Sequence, residues 1–254
     1  MTLAALIREE EPIARHLPLR ASPGTFERWV EVADEAQLVA TIRAARAERL
    51  AVRVVPPFHD ALPPEGGVSG VALRLGVGFE AVERRGDHWF AGAAAPLARL
   101  ATVAGWPALV SAGGCVGDAL DEGWLAPAVV GVRRFKGRGV EDIDGAYVAE
   151  PKAMVLGATL NARVAVKPLR AGTAFLEPGK RVALRATLAR AQLPTVRLYD
   201  AALADDDPAV LVNRGEATPK QLQLLLQAVI ERVRVATGVE ISERLVAPGR
   251  AGRW

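Results

Sequence analysis

Near the N-terminus two strand-like runs flank one well-marked helix, and no other feature of this chain limits its fold as strongly. Trp29 to Val32 and Val52 to Val55 are short runs rich in β-branched residues. Between them Asp34 stands three residues before Gln37, the spacing of a capping box, and Leu38, Ile42 and Ala45 then fall on one helical face. A strand, a helix and a strand with short connections form a β-α-β unit. Such a unit predicts parallel pairing of its two strands, because the helix supplies the crossover.

Further strands are expected at Val71 to Leu75, Ala81 to Arg84 and His88 to Ala91, with Arg85-Gly86-Asp87 as a hairpin turn. Pro96 opens a helix through Leu97, Leu100 and Val103, which Gly105 stops. Val110 to Leu125 is rich in Gly and weakly periodic. Strands are expected again at Val129 to Phe135 and Met154 to Val166. After Lys167-Pro168 come a short helix near Arg181 to Ala191, a strand at Val210 to Val212, and a long helix from Thr218 to Thr237. Thr218, Pro219 and Gln221 make its N-terminal signature. Leu222, Leu225, Leu226, Val229, Ile230 and Val233 make its apolar face, and Gly238 is its C-cap. The sum is an α+β chain in three subdomains, 1–76, 77–167 and 168–254.

Composition narrows the function classes. The 254 residues are 50% hydrophobic, enough for real cores. The net charge is +3, with Lys and Arg scattered and no basic stripe interleaved with aromatics, so no nucleic-acid partner is expected. The longest basic tract, Arg133-Arg134-Phe135-Lys136-Gly137-Arg138, reads as a solvated strand end. Cys115 is the single cysteine, so no intrachain disulfide can form. It reads as a buried small hydrophobe in a protein of a reducing compartment. The N-terminus has no signal-peptide pattern and no apolar run could span a bilayer, so a soluble, cytoplasmic protein is expected. His16, His59 and His88 are too far apart for a metal pair, and Asp205-Asp206-Asp207-Pro208 reads as a solvated loop.

Six segments, in order and at fitting spacings, resemble one family. They are Val71-Ala72-Leu73-Arg74-Leu75-Gly76, and Ala91-Gly92-Ala93 followed by Pro96-Leu97-Ala98-Arg99-Leu100. Next come Gly114-Cys115-Val116-Gly117-Asp118-Ala119, similar to Pro-Gly-Thr-Val-Gly-Gly-Ala, and Ala171-Gly172-Thr173-Ala174-Phe175-Leu176-Glu177-Pro178, similar to Ala-Gly-Ser-x-Phe-Lys-Asn-Pro. Val212-Asn213-Arg214-Gly215-Glu216-Ala217-Thr218 resembles Val-Asn-x-Gly-x-Ala-Thr. Gly238-Val239-Glu240-Ile241-Ser242-Glu243-Arg244-Leu245 resembles Gly-Val-x-Leu-Glu-x-Glu-Val. The family is the UDP-N-acetylenolpyruvoylglucosamine reductases (MurB), flavoenzymes of peptidoglycan precursor synthesis. The resemblance implies an FAD-binding half of two subdomains, of the vanillyl-alcohol-oxidase type, and a C-terminal α/β substrate subdomain. It also implies NADPH as reductant of the flavin, hydride transfer to the enolpyruvyl group, and proton donation by a serine helped by an acid.

Position by position, the chemistry departs from that pattern. The family's first flavin loop reads Val-Leu-Gly-Gly-Gly-Ser-Asn-Leu-Leu, and here the same length reads Val54-Val55-Pro56-Pro57-Phe58-His59-Asp60-Ala61-Leu62. Proline has no N–H and fixes φ, so two amide donors for a pyrophosphate are missing. In the second loop Gly114, Val116 and Gly117 are the candidate cofactor-binding positions, and Asp118 replaces a glycine with a carboxylate. Thr173 stands at the proton donor. Leu176 and Glu177 stand at the family's Lys-Asn. Tyr147-Val148-Ala149-Glu150 stands at Tyr-Arg-x-Ser, which keeps Tyr147 as a substrate-binding candidate and loses the arginine. Counting without a gap puts Arg244 at the catalytic acid, with Glu243 beside it.

The expectation is therefore a MurB-like protein of cell-wall biosynthesis with lost or impaired FAD binding and catalysis, a pseudoenzyme acting as a binding or scaffolding protein. Its expected partners are a UDP-sugar or another nucleotide, and cell-wall or division proteins. The alternative is an active, divergent FAD- and NADPH-dependent reductase in which Thr173 donates the proton and Glu243 is the acid.

Overall fold

The computed structural model describes residues 7–16, 24–55, 66–110, 112–137, 139–150, 153–166, 168, 173–176, 184–193, 196–243 and 251–252. The diproline turn from Pro56 to Asp60 lies outside these residues, as do Ala171, Gly172, Glu177 and Arg244.

The first sheet is built from β1 (Ile7–Pro12), β2 (Thr25–Val32), β3 (Val52–Val54) and β4 (Val68–Leu75), with helix α1 (Glu35–Ala47) between β2 and β3. The predicted cap holds: Asp34 Oδ1 accepts from the Gln37 amide at 2.8 Å, and Gln37 Oε1 accepts from the Ala33 amide at 2.9 Å. The predicted pairing does not. β2 and β3 are both parallel to β4, which lies between them, and they do not pair with each other. β4 is the most continuously buried of the three. A strand apolar on both sides belongs where both faces and both edges are covered. Helix α1 packs Leu38, Ile42 and Ala45 on one face of this sheet, against Val30, Val52, Val71 and Leu73.

The second sheet contains β5 (Val82–Arg85), β6 (His88–Gly92), β7 (Val129–Lys136), β8 (Gly139–Asp144) and β9 (Ala153–Leu160), in the order β5-β6-β9-β7-β8. Helices α2 (Leu97–Ala104) and α3 (Val116–Asp121) pack on it through Leu97, Leu100, Val116 and Leu120. Gly105, at φ 61°, ends α2 in the left-handed region that suits glycine. β9 stops short of the expected Val166. Asn161 Oδ1 accepts from the Arg163 amide at 3.0 Å, a local turn that competes with the strand ladder. β8 was not expected. It is exposed and acidic and has no apolar period.

β8 also corrects the reading of the basic tract. Arg133 Nε and Nη2 donate to both carboxylate oxygens of Glu35, at 2.6 and 2.9 Å, and Nη1 donates to Asp142 at 2.6 Å. The tract is an ion-paired strand rather than a solvated end, and the bidentate Arg133–Glu35 contact ties β7 to the first turn of α1.

The C-terminal portion has its own core. It holds β10 (Phe175–Leu176), α4 (Leu184–Arg190), β11 (Arg197–Leu198), β12 (Ala201–Leu203), β13 (Leu211–Asn213), α5 (Pro219–Thr237) and β14 (Ser242–Glu243). Leu222, Leu225, Leu226, Val229 and Val233 of α5 pack against Phe175, Leu188, Leu203 and Leu211. Each such buried aliphatic side chain contributes roughly 1.5–3 kcal/mol. The full capping box is present, with the Gln221 amide donating to Thr218 Oγ1 at 3.3 Å and the Thr218 amide donating to Gln221 Oε1 at 2.8 Å. Thr218→Ala is expected to lower unfolding free energy by about 1 kcal/mol, read from the urea midpoint. An unchanged midpoint would mean that tertiary packing alone sets this helix start. Finally β15 (Ala251–Gly252) pairs antiparallel with β3, on the side away from β4.

Candidate functional site

The candidate residues named from the sequence fall into three groups. The first is the glycine-rich turn before α3. Gly114 has φ 85°, and its carbonyl accepts from the Leu97 amide at 3.2 Å. The amide of Val116 donates to Ala95 O at 3.1 Å, and that of Gly117 donates to Ala93 O at 2.8 Å. The turn is thus laced to the Gly92–Ala95 segment, whose glycine has its own steric reason. A Cβ on Gly92 would lie 2.0 Å from the Phe79 carbonyl oxygen. Asp118 is buried, and its Oδ2 would stand 3.3 Å from a Cβ at Gly114, so its carboxylate lies against the turn. Cys115 Sγ donates to that same Oδ2 at 3.5 Å. Burial first, then the Asp118 charge, pushes the Cys115 thiol far above the ordinary range, so it is no nucleophile.

The second group lines a cavity of about 200 Å³ between β7, β8, β9 and the segment after β8, formed by Val132, Arg134, Ile143, Tyr147, Glu150 and Val155. This is below the roughly 300 Å³ at which small-molecule sites begin, so it takes part of a ligand rather than all of one. Tyr147 faces it, and Val148, where the family has arginine, is exposed. A cation arrives by another route: Arg134 reaches the cavity from β7 with its side chain 12% exposed. Its charge is spent internally. Arg134 Nε donates to Glu141 at 2.8 Å and Nη1 to Glu150 at 2.5 Å, while Lys136 Nζ is 2.6 Å from the other Glu150 oxygen. Neither Arg134 nor Glu141 was singled out for this site from the sequence. The signal that was there is the charge pairing across the hairpin, where Arg134 stands opposite Glu141 and Arg133 opposite Asp142.

Lys136, then Arg134, holds the Glu150 carboxyl below its ordinary value of 4.5. A depressed carboxyl contributes stability that is complete above its unfolded pKa and is lost as pH falls through the folded one. The urea midpoint is therefore expected to fall below about pH 4.5, and Glu150→Gln is expected to flatten that limb. A limb unchanged in the variant would assign it to other carboxyls.

The third group is the predicted acid pair. Thr173 is buried and bridges Val210, and the adjacent Ala174 amide donates to Ala209 O at 2.7 Å. β14 places Glu243 directly opposite Phe175 in an antiparallel pair. Opposed residues share a face, and so do residues two apart on an extended chain, so the register brings Glu243 to the side of Thr173. Glu243 Oε2 is buried with no hydrogen-bond partner. By register Thr173 and Glu243 lie on one face, with Glu243 opposite Phe175 and Thr173 two residues further along. Gly114, Val116 and Gly117 form their own turn, and Tyr147 lies in the β7–β8 cavity.

No protein-family model matches the chain. Among the described residues no helix is long and apolar enough to cross a membrane, and no group of His, Cys, Asp and Glu could hold a metal ion. The fold is that of the MurB reductases. The crystal structure of UDP-N-acetylenolpyruvylglucosamine reductase (MurB) from Thermus caldophilus matches with a TM-score of 0.69 over 95% of this chain and 98% of that one, at 20% identity. The chain is 31% identical to the UDP-N-acetylenolpyruvoylglucosamine reductase of Rhodospirillum rubrum, covering 86% of this chain and 82% of the relative. It is 26% identical to that of Heliobacterium modesticaldum, covering 96% and 91%. The chain belongs to the UDP-N-acetylenolpyruvoylglucosamine reductase family.

Proposed function

We propose that this chain keeps the fold of its family for binding a UDP-sugar, has lost or impaired FAD binding, and serves peptidoglycan precursor synthesis in the cytoplasm as a binding or scaffolding protein. The observation that carries this reading is the state of the turn before α3. FAD is the cofactor implied by the family, and its pyrophosphate needs free backbone amides and no opposing charge. Two of the three candidate positions there, Val116 and Gly117, already donate their amides to Ala95 and Ala93. The buried Asp118 carboxylate lies against the third, Gly114. An anion at this turn would meet a negative charge in place of donors, so these residues do not fit the pyrophosphate. The neutralised Arg134 points the same way, because an acceptor-rich ligand would find its cation already held by Glu141 and Glu150. The test is calorimetric titration of the flavin-free chain with the enolpyruvyl UDP-sugar. Saturable binding without FAD is expected, and absence of binding at millimolar ligand would overturn the binding role.

One observation favours the alternative, an active divergent reductase. Glu243 Oε2 is buried and unpartnered opposite Phe175, on the strand face that Thr173 shares, where an ordinary structural carboxylate would be satisfied. In that reading FAD, when bound, supplies the hydride chemistry. Thr173 donates a proton through Oγ1, and Glu243 holds the hydroxyl in place and exchanges its proton. NADPH oxidation dependent on the enolpyruvyl UDP-sugar, with added FAD, is its assay. Thr173→Val and Glu243→Gln would each lower kcat at least about 100-fold if the pair acts in general acid catalysis. A wild-type chain inactive under these conditions removes the alternative.

A further inference from the structure

The face of the first sheet turned away from α1 is an apolar cluster of Ile13, Phe26, Trp29, Val55, Val68 and Ala72, with polar groups set among it. Strand register puts Trp29, Ala72 and Arg53 in one row across β2, β4 and β3, and places Arg74 two residues further along β4 on the same face. Trp29 Nε1, Arg53 Nε and Arg74 Nε are all buried and all without a hydrogen-bond partner. Among the described residues no ion pair holds either guanidinium. Glu31 stands opposite Arg74 in register, yet its carboxylate lies against Gly76 instead. Glu11 is engaged elsewhere, 3.0 Å from His16 Nε2 and 3.6 and 3.7 Å from Arg15 and Arg8. The His16 ring stacks on Trp29 with centroids 3.8 Å apart.

A buried N–H without a partner costs roughly 1–3 kcal/mol, and more when charged. Three such groups on one face, all donors, call for a ligand made of acceptors. Adjacent strands are about 4.8 Å apart, and residues two apart on one strand roughly 6.6 Å, so two arginine side chains from these positions can close on one oxyanion. Guanidinium forks match phosphate oxygens in pairs, and an indole N–H adds a third donor direction.

We propose that Arg53, Arg74 and Trp29 form a binding site for a dianionic phosphoryl group, carried by a small phosphomonoester or nucleotide. The site lies on the sheet face opposite α1, apart from the turn at Gly114 and from the cavity at Tyr147. It does not depend on whether the chain holds FAD or turns over a UDP-sugar. The probe is inorganic phosphate added to the full chain at constant ionic strength in chloride, followed by the thermal midpoint and by calorimetry. Phosphate, and not chloride, is expected to raise the midpoint as a ligand of the folded state does. Arg53→Gln and Arg74→Gln are each expected to weaken binding at least tenfold. Should either glutamine variant fail to fold, Arg53→Lys and Arg74→Lys retain the charge, lose the buried Nε donor, and are expected to weaken binding in the same direction. Uridine and adenosine monophosphates distinguish the source. Tighter binding than inorganic phosphate supports a nucleotide at this site, and equal binding supports a bare phosphoryl group. No phosphate-specific shift in the wild type, or a shift that the arginine variants leave unchanged, overturns the proposal.

Discussion

Gly92→Ala is expected to destabilise the protein by on the order of 3 kcal/mol or more, at the upper end of the range for overpacking. The new Cβ would sit 2.0 Å from the Phe79 oxygen and 2.5 Å from its carbonyl carbon. Both atoms belong to backbone that cannot swing aside, because Phe79 O accepts from the Ala94 amide at 2.9 Å. Nor can Gly92 retreat, since its own amide donates to Ala81 O at 2.8 Å. The damage would spread to the turn before α3, which hangs on the carbonyls of Ala93 and Ala95. Gly139→Ala is the matched control: nothing lies within 4 Å of its Cβ position and its φ is not left-handed. Urea melts of the two variants should differ by most of the predicted effect. Equal midpoints would mean that the Phe79 segment yields, and that the bracing of the Gly114 turn is soft.

Asp118→Asn is expected to bind FAD at least tenfold more tightly than the wild type. The substitution keeps the shape of a buried side chain that lies against Gly114 and removes its charge. At the effective dielectric near a protein surface, a carboxylate about 5 Å from one phosphate charge costs roughly 3 kcal/mol, and tenfold in affinity needs only about 1.4 kcal/mol. Fluorescence quenching of free FAD reads the gain directly. A variant no better than wild type would show that the engaged amides of Val116 and Gly117, and not the carboxylate, bar the flavin from this turn.

Both capped helices were legible in the sequence, because a capping box is a local device read within four residues. Asp34 with Gln37 and Thr218 with Gln221 fix the starts of α1 and α5 whatever surrounds them. The order of strands in the first sheet was not legible. Which parallel strand takes the centre is decided by burial on two faces, and β4 won that place over the expected β2–β3 pair. β8 escaped because a solvent-facing strand has no apolar period, and only its charges, opposed to those of β7, reveal it. The candidate site residues came from family resemblance and not from pattern. That resemblance marked Thr173, Glu243, Tyr147 and the Gly114 turn from motif order alone. It could not reveal that Arg134 re-enters the Tyr147 cavity from a strand sixteen residues from Glu150. Nor could it reveal that the amides of the turn are already engaged.

The visible spectrum of the purified chain, followed by titration with FAD, tests the central claim most directly. The account predicts a colourless preparation and no tight flavin uptake. A yellow preparation, or stoichiometric FAD binding with NADPH oxidation that depends on the enolpyruvyl UDP-sugar, would contradict it and leave the active reductase as the reading.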